Sequence, residues 1–112
     1  MTRPTVYIVQ PHASLNFLPA EEHGELKFIY PAGLQAYVDT DDLVLTARRK
    51  LAQVNHDDFL VLTGDPVLMG IAFNIFSEKT DGFIKSLKWD RRAGQRGDGG
   101  YRIVKVNMGA QP

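Results

Sequence analysis

The stretch Lys88-Trp89-Asp90-Arg91-Arg92 is where the chain places the most chemistry in the fewest residues. An aromatic ring among cations can stack a nucleobase while lysine and arginine hold phosphate. The same ring can instead sit in the core with Phe83 and Leu87, leaving the arginines to project and pair with anions. A second focus is Gly64-Asp65-Pro66, at a switch from an apolar run to a helical stripe. Helix N-termini attract anions, and ligands favour the carboxyl ends of parallel strands. Yet there is one glycine, no GxGxxG and no GxxxxGK[ST], and Asp65 puts a negative charge where a phosphate would sit. Capping and turn geometry explain those three residues, with ligand contact as the alternative.

Other chemistry finds less support. His12, His23 and His56 are the imidazoles, and Glu21, Glu22 and Glu25 lie near His23. No HxH, HxxxH or HExxH spacing turns them into a metal site. Acid–base work needs two groups in opposed environments. Asp57, Asp58, Asp65 and Asp90 are available, but nothing in their spacing brings them together. Ser14, Ser77 and Ser86 lack the GxSxG context of a nucleophile elbow. With no cysteine, disulfides, thiolate metal sites and thiol nucleophiles are all excluded. The expectation is a protein without catalytic residues, metal or cofactor.

Charge is unevenly laid out. The 112 residues carry 13 basic and 13 acidic side chains. Residues 1–84 hold a net of −5, and residues 85–112 a net of +5 from Lys85, Lys88, Arg91, Arg92, Arg96, Arg102 and Lys105 against Asp90 and Asp98. This reads as a solvated hairpin of mixed charge or as an anion-binding edge on an acidic body. The candidate binding residues are therefore Lys88, Arg91, Arg92, Arg96 and Arg102.

These residues need a frame, and the hydrophobic pattern supplies one. Val6–Val9 is a short apolar strand stopped by Pro11. Residues 12–24 are a loop with a turn or one short helical turn, followed by a strand over 26–30 with Leu26, Phe28 and Tyr30 on one face. A helix begins near Asp41, capped by Thr40, Asp41 or Asp42. Its stripe is Val44, Ala47, Leu51 and Val54, and Asn55 ends it in a left-handed conformation. Phe59-Leu60-Val61-Leu62-Thr63 has no alternation and reads as a central strand covered on both faces. Asp65 caps the second helix, Pro66 opens it, and Leu68, Ile71, Ala72, Ile75 and Phe76 form its stripe. Gly70, costly inside a helix, suggests close packing on the sheet. A strand over 83–89 and a last strand over 101–108 flank residues 90–100, which hold four glycines and three arginines. That loop is expected to be mobile in the free protein.

The order β-β-α-β-α-β-β predicts one α/β domain over residues 1–112, with a mixed sheet and a C-terminal antiparallel hairpin. No run approaches 18 apolar residues, so no membrane span is expected. The chain reads as soluble, unprocessed and cytoplasmic.

Three segments resemble a set of small proteins encoded by tailed bacteriophages. They are Leu18-Pro19-Ala20-Glu21-Glu22-His23-Gly24-Glu25-Leu26, Asp57-Asp58-Phe59-Leu60-Val61-Leu62-Thr63-Gly64-Asp65-Pro66 and Leu87-Lys88-Trp89-Asp90-Arg91. The resemblance spans most of the chain. Those proteins have a shorter link between the Trp-Asp-Arg segment and the final strand, so the Gly/Arg-rich insert is a departure. The resemblance implies a phage origin and action in the cytoplasm of an infected cell. It implies no activity and transfers no catalytic residue. The functional expectation is a non-enzymatic phage accessory protein that binds a host or phage protein. Nucleic-acid binding through the basic hairpin is the alternative, ranked second because the net charge is zero whereas nucleic-acid modules carry a basic excess. The oligomeric state is left open.

Overall fold

A computed structural model describes residues 3–37, 39–94 and 96–112. Strands β1 (Thr5–Ile8), β2 (Glu25–Phe28), β3 (Phe59–Val61), β4 (Phe83–Asp90) and β5 (Gly100–Asn107) form one mixed sheet in the order β2-β1-β3-β4-β5. The first four run parallel and β5 returns antiparallel to β4. Helices α1 (Asp41–Lys50) and α2 (Pro66–Lys79) link β2 to β3 and β3 to β4. This is the expected α/β domain with its C-terminal antiparallel hairpin.

The unbroken apolar run at the middle strand follows from burial on two sides. Leu60 joins Tyr7, Val9, Ala47, Leu51, Leu68, Ala72 and Phe76 beneath the helices. Phe59 and Val61 face the other way, against Phe17, Ala20, Leu87 and Tyr101. Among the described residues, a 3-10 turn, Leu18–Glu22, and its flanking loop cover that second face through Ala20 and Phe17. The β1–β2 connection thus crosses one face and α1 the other, as same-handed crossovers running in opposite directions require. The strand order reverses between β1 and β3.

Several local expectations are corrected. β3 ends at Val61, so Leu62 lies past the strand and is 38% exposed. Tyr30 packs under α1, on the side opposite Leu26's cluster, because β2 stops at Phe28 and the period of two stops with it. Burial raises the Tyr30 pKa, and its hydroxyl donates to Leu43 O at 2.6 Å. Thr40 occupies the N-cap of α1 without a side-chain cap bond. Leu51, at negative φ, is the C-cap, and Asn55 does not take a positive φ. Instead Asn55 Oδ1 accepts from Asp57 N at 2.8 Å. Asp58 is buried, accepting from Thr5 N at 2.8 Å and Asn55 N at 3.0 Å. Gly70 is exposed with open space around it, so close packing does not explain it and nothing else in the structure does.

The start of α2 follows the local rules. Asp65 is its N-cap, with Oδ1 accepting from Val67 N at 2.7 Å and Leu68 N at 3.4 Å. Its Oδ2 accepts from Ala36 N at 3.2 Å. These bonds, the Ala36 amide foremost, hold the carboxyl below the usual range. A depressed carboxylate contributes stability above its unfolded value near 4 and loses it as pH falls through the folded value. Asp65→Ala is expected to lower the melting temperature by about 5 °C at pH 7. The gap should close as the pH is taken below about 4. Calorimetry across pH 2–7 reads both, and a constant gap would show that the carboxylate charge is not what stabilises.

Candidate binding site on the C-terminal hairpin

Two places in this fold could receive a ligand. The first is the point where the strand order reverses, outside the carboxyl ends of β1 and β3. There the chain's own polar groups bond to one another. Gln10 is 3% exposed, and its Oε1 accepts from Asp65 N at 2.9 Å. Its Nε2 donates to Pro31 O at 2.9 Å and Leu34 O at 2.8 Å. Gly64 has φ +100°, and a Cβ there would fall 2.3 Å from Gln10 Oε1. The first-turn amides of Val67 and Leu68, which could have gripped an anion, are bonded to Asp65. Gly64, Asp65 and Pro66 line an open hollow of about 520 Å³ beside this network, with Gln10, Pro11 and His12, and the carboxylate of Asp65 makes it a poor seat for an anion.

The second place is the outer end of the hairpin. β4 pairs with β3 at Leu60↔Ser86 but continues to Asp90, well past the end of β3. The overhang leaves a groove of about 390 Å³ walled by Leu15, Leu62, Phe73, Trp89, Val104 and Val106. A hollow of about 450 Å³ adjoins it, lined by Lys88, Asp90, Arg91, Arg92 and Arg102. Lys88, Trp89 and Val104 line both, so an apolar trough opens into a basic one.

Each wall has a local cause. Trp89 faces Tyr101 across the hairpin, with ring centroids 5.1 Å apart in an edge-to-face arrangement. Gly99 lies against the indole so closely that a Cβ there would sit 2.2 Å from a ring carbon. Trp89 is 40% exposed, so the core placement does not hold: its strand has outrun the sheet that would have covered it. Lys88 and Arg102 are directly opposite, a like-charge pairing that costs stability. Asp90 offsets part of that cost by pairing with the Arg102 guanidinium and accepting from Arg92 N at 2.9 Å. The Arg92 amide first, and then Arg102, hold the Asp90 carboxyl below its usual value. Asp90 thus pairs across the hairpin with Arg102 and takes only the backbone N–H of its neighbour Arg92.

Four of the five candidate cations, Lys88, Arg91, Arg92 and Arg102, are therefore gathered around one hollow. Arg96 is exposed in the loop outside that lining. Gln95, part of the loop expected to be mobile, lies outside the described residues. The apolar walls were not foreseen from the sequence. A signal existed in α2, whose apolar residues extend beyond the buried stripe to Val67, Met69 and Phe73.

The family model described as phage Pam3 gp32-like protein matches residues 4–108. The chain belongs to the phage Pam3 gp32-like family. The match covers every strand and helix as well as the hairpin loop, so in this Pam3 gp32-like protein the groove and the basic hollow fall within the family's span. No curated protein and no solved structure matches the chain significantly. Among the described residues, no helix is long and apolar enough to cross a membrane.

Mobility of the loop and the role of its cations can be measured together. The amides of Gly94, Arg96 and Asp98 are expected to exchange quickly in the free protein, ahead of those of Arg92, Ala93, Gly97 and Gly99, which donate within the loop to Asp90 Oδ1, Asp90 O, Gly94 O and Ala93 O. Replacing Arg91, Arg92 and Arg96 together with alanine should lower the melting temperature by no more than about 3 °C, since all three are exposed. Strong protection across the loop, or a large loss of stability, would make these arginines structural.

Proposed function

We propose that this phage protein acts by binding another protein, of host or phage origin, at the outer end of its C-terminal hairpin in the cytoplasm of the infected cell. The observation carrying this reading is the junction of an apolar groove with a basic hollow at Trp89. Protein interfaces are enriched in aromatic residues and arginine, with an apolar centre inside a polar rim. A like-charge pair such as Lys88 and Arg102 opposes folding and is understandable where a ligand supplies the missing anions. A protein surface with carboxylates around an apolar side chain fits both halves of the site. Nucleic acid would use the cations but leave the aliphatic trough empty, and the zero net charge of the chain gives it little long-range attraction.

The test is recovery of the tagged protein from infected cells, compared with Trp89→Ala and with the Arg91, Arg92 and Arg96 triple alanine variant. One companion protein should be retained by the parent and lost from Trp89→Ala. Retention of the same companion by Trp89→Ala would overturn the assignment of the site. Recovery of nucleic acid that leaves steeply as salt rises would overturn the class of partner.

A further inference from the structure

β5 forms one edge of the sheet, and pairing with β4 uses only half of its backbone. Met108 donates to Gly82 O at 2.8 Å, which makes these two a hydrogen-bonded pair in the β4–β5 register. Antiparallel pairing alternates, so Gly100, Arg102, Val104 and Val106 turn their N–H and C=O toward β4. Tyr101, Ile103 and Lys105 turn theirs outward. Asn107 closes the row, because its carbonyl accepts from Ala110 N at 3.2 Å.

Edge strands in native proteins are commonly short, bulged or broken by proline. β5 has eight residues, no proline and an unbroken register. Ile103 and Val104, 45% and 41% exposed, stand on opposite faces of it. Arg102 and Lys105 flank them, again one on each face. Cations guard an edge against a second basic strand. A second copy of this chain would bring two hairpins of net +5 together, so like charge disfavours self-pairing. The same cations favour an acidic strand.

We propose that β5 takes up an extended acidic segment of the partner protein by strand addition. The segment's pattern is acidic, apolar, apolar, acidic. Its carboxylates stand opposite Arg102 and Lys105, and its apolar pair stands opposite Ile103 and Val104. This order reads the same in both directions along the edge, so it serves a parallel or an antiparallel arrival. The inference rests on the protein-binding reading above and adds the form in which the partner presents itself. Main-chain bonds supply affinity, and alternate side chains supply selectivity.

The probe is a blocked hexapeptide with two central valines, a glutamate on each side and serine at each end. A control peptide carries lysine in place of both glutamates. In amide exchange of the full chain, saturating acidic peptide should slow Tyr101, Ile103 and Lys105 at least tenfold and leave the inward amides of Arg102 and Val104 nearly unchanged. The lysine peptide should do neither. Ile103→Pro removes an outward N–H without touching the β4 ladder, a position where edge strands accept proline. It should weaken the acidic peptide at least tenfold. Should that variant fail to fold, Lys105→Glu serves instead and should shift preference toward the lysine peptide. Binding that protects residues around Trp89 but not the outward amides of β5 would overturn strand addition while sparing the protein-binding reading. So would an acidic peptide that fails to bind a protein whose companion capture still depends on Trp89. Concentration-dependent protection of the outward amides without peptide would identify a second copy as the occupant and overturn the proposal.

Discussion

Gln10→Ala should destabilise the domain by about 2–4 kcal/mol, more than its loss of apolar area could explain. The side chain donates to Pro31 O and Leu34 O and accepts from Asp65 N, holding the loop after β2 and the start of α2 to the end of β1. Truncation leaves these three groups, the Asp65 N–H buried and the two carbonyls part-buried, without their partner. The orientation of the amide is fixed by its partners: two carbonyls need the NH₂ group and one N–H needs the oxygen. Gln10→Glu separates this network from simple packing. At neutral pH it keeps the acceptor but points a carboxylate oxygen at carbonyls, and it should be at least as destabilising as Gln10→Ala. Acidification should recover part of the loss, since a protonated carboxyl can donate to one of them. Chemical denaturation at pH 7 and pH 4 measures both. A Gln10→Glu protein as stable as the parent at pH 7 would dismiss the network.

Leu60→Ala is expected to cost about 2–5 kcal/mol, the range for a leucine enclosed on all sides. Leu60 is fully buried at the centre of the sheet, beneath α1 and α2. With a total stability of about 5–15 kcal/mol for a domain of this kind, the variant should be marginal at 37 °C. Leu62, two residues on in the same apolar run, is partly exposed on the groove wall and should lose far less. Urea titrations of the pair are the check. Equal losses would mean that the strand continues past Val61 in solution.

What could be read from the sequence were features whose causes are local. Asp65 and Pro66 open α2 because cap and first-turn geometry depend only on neighbouring residues. The buried stripe of α2 follows from periodicity. The lengths of the strands relative to one another were not legible, because pairing partners set them. That is why Leu62, expected inside, and Trp89, for which a core place was one of two readings, lie at the groove. Long-range polar contacts were hidden too. Nothing near Gln10 in the sequence marks it as the tie between residues 31–34 and 65, and nothing beside Asp58 marks its bond to Thr5 N. The candidate site divides along the same line. Its cations stood out as a local run, whereas Leu15, Phe73 and Val104 come from three separate parts of the chain and meet only in the folded sheet.

Trp89 is the one tryptophan of the chain, and it sits on an overhanging strand rather than in either core cluster. Its emission therefore samples the hairpin tip. Already partly hydrated, the indole should shift little to the red when the domain unfolds, and it can move ahead of the main transition if the tip frays. Far-ultraviolet circular dichroism will follow the fold more faithfully. An apolar group entering the groove should move the same emission to the blue, so the spectral signal that is poor for unfolding becomes a label-free reporter of occupancy.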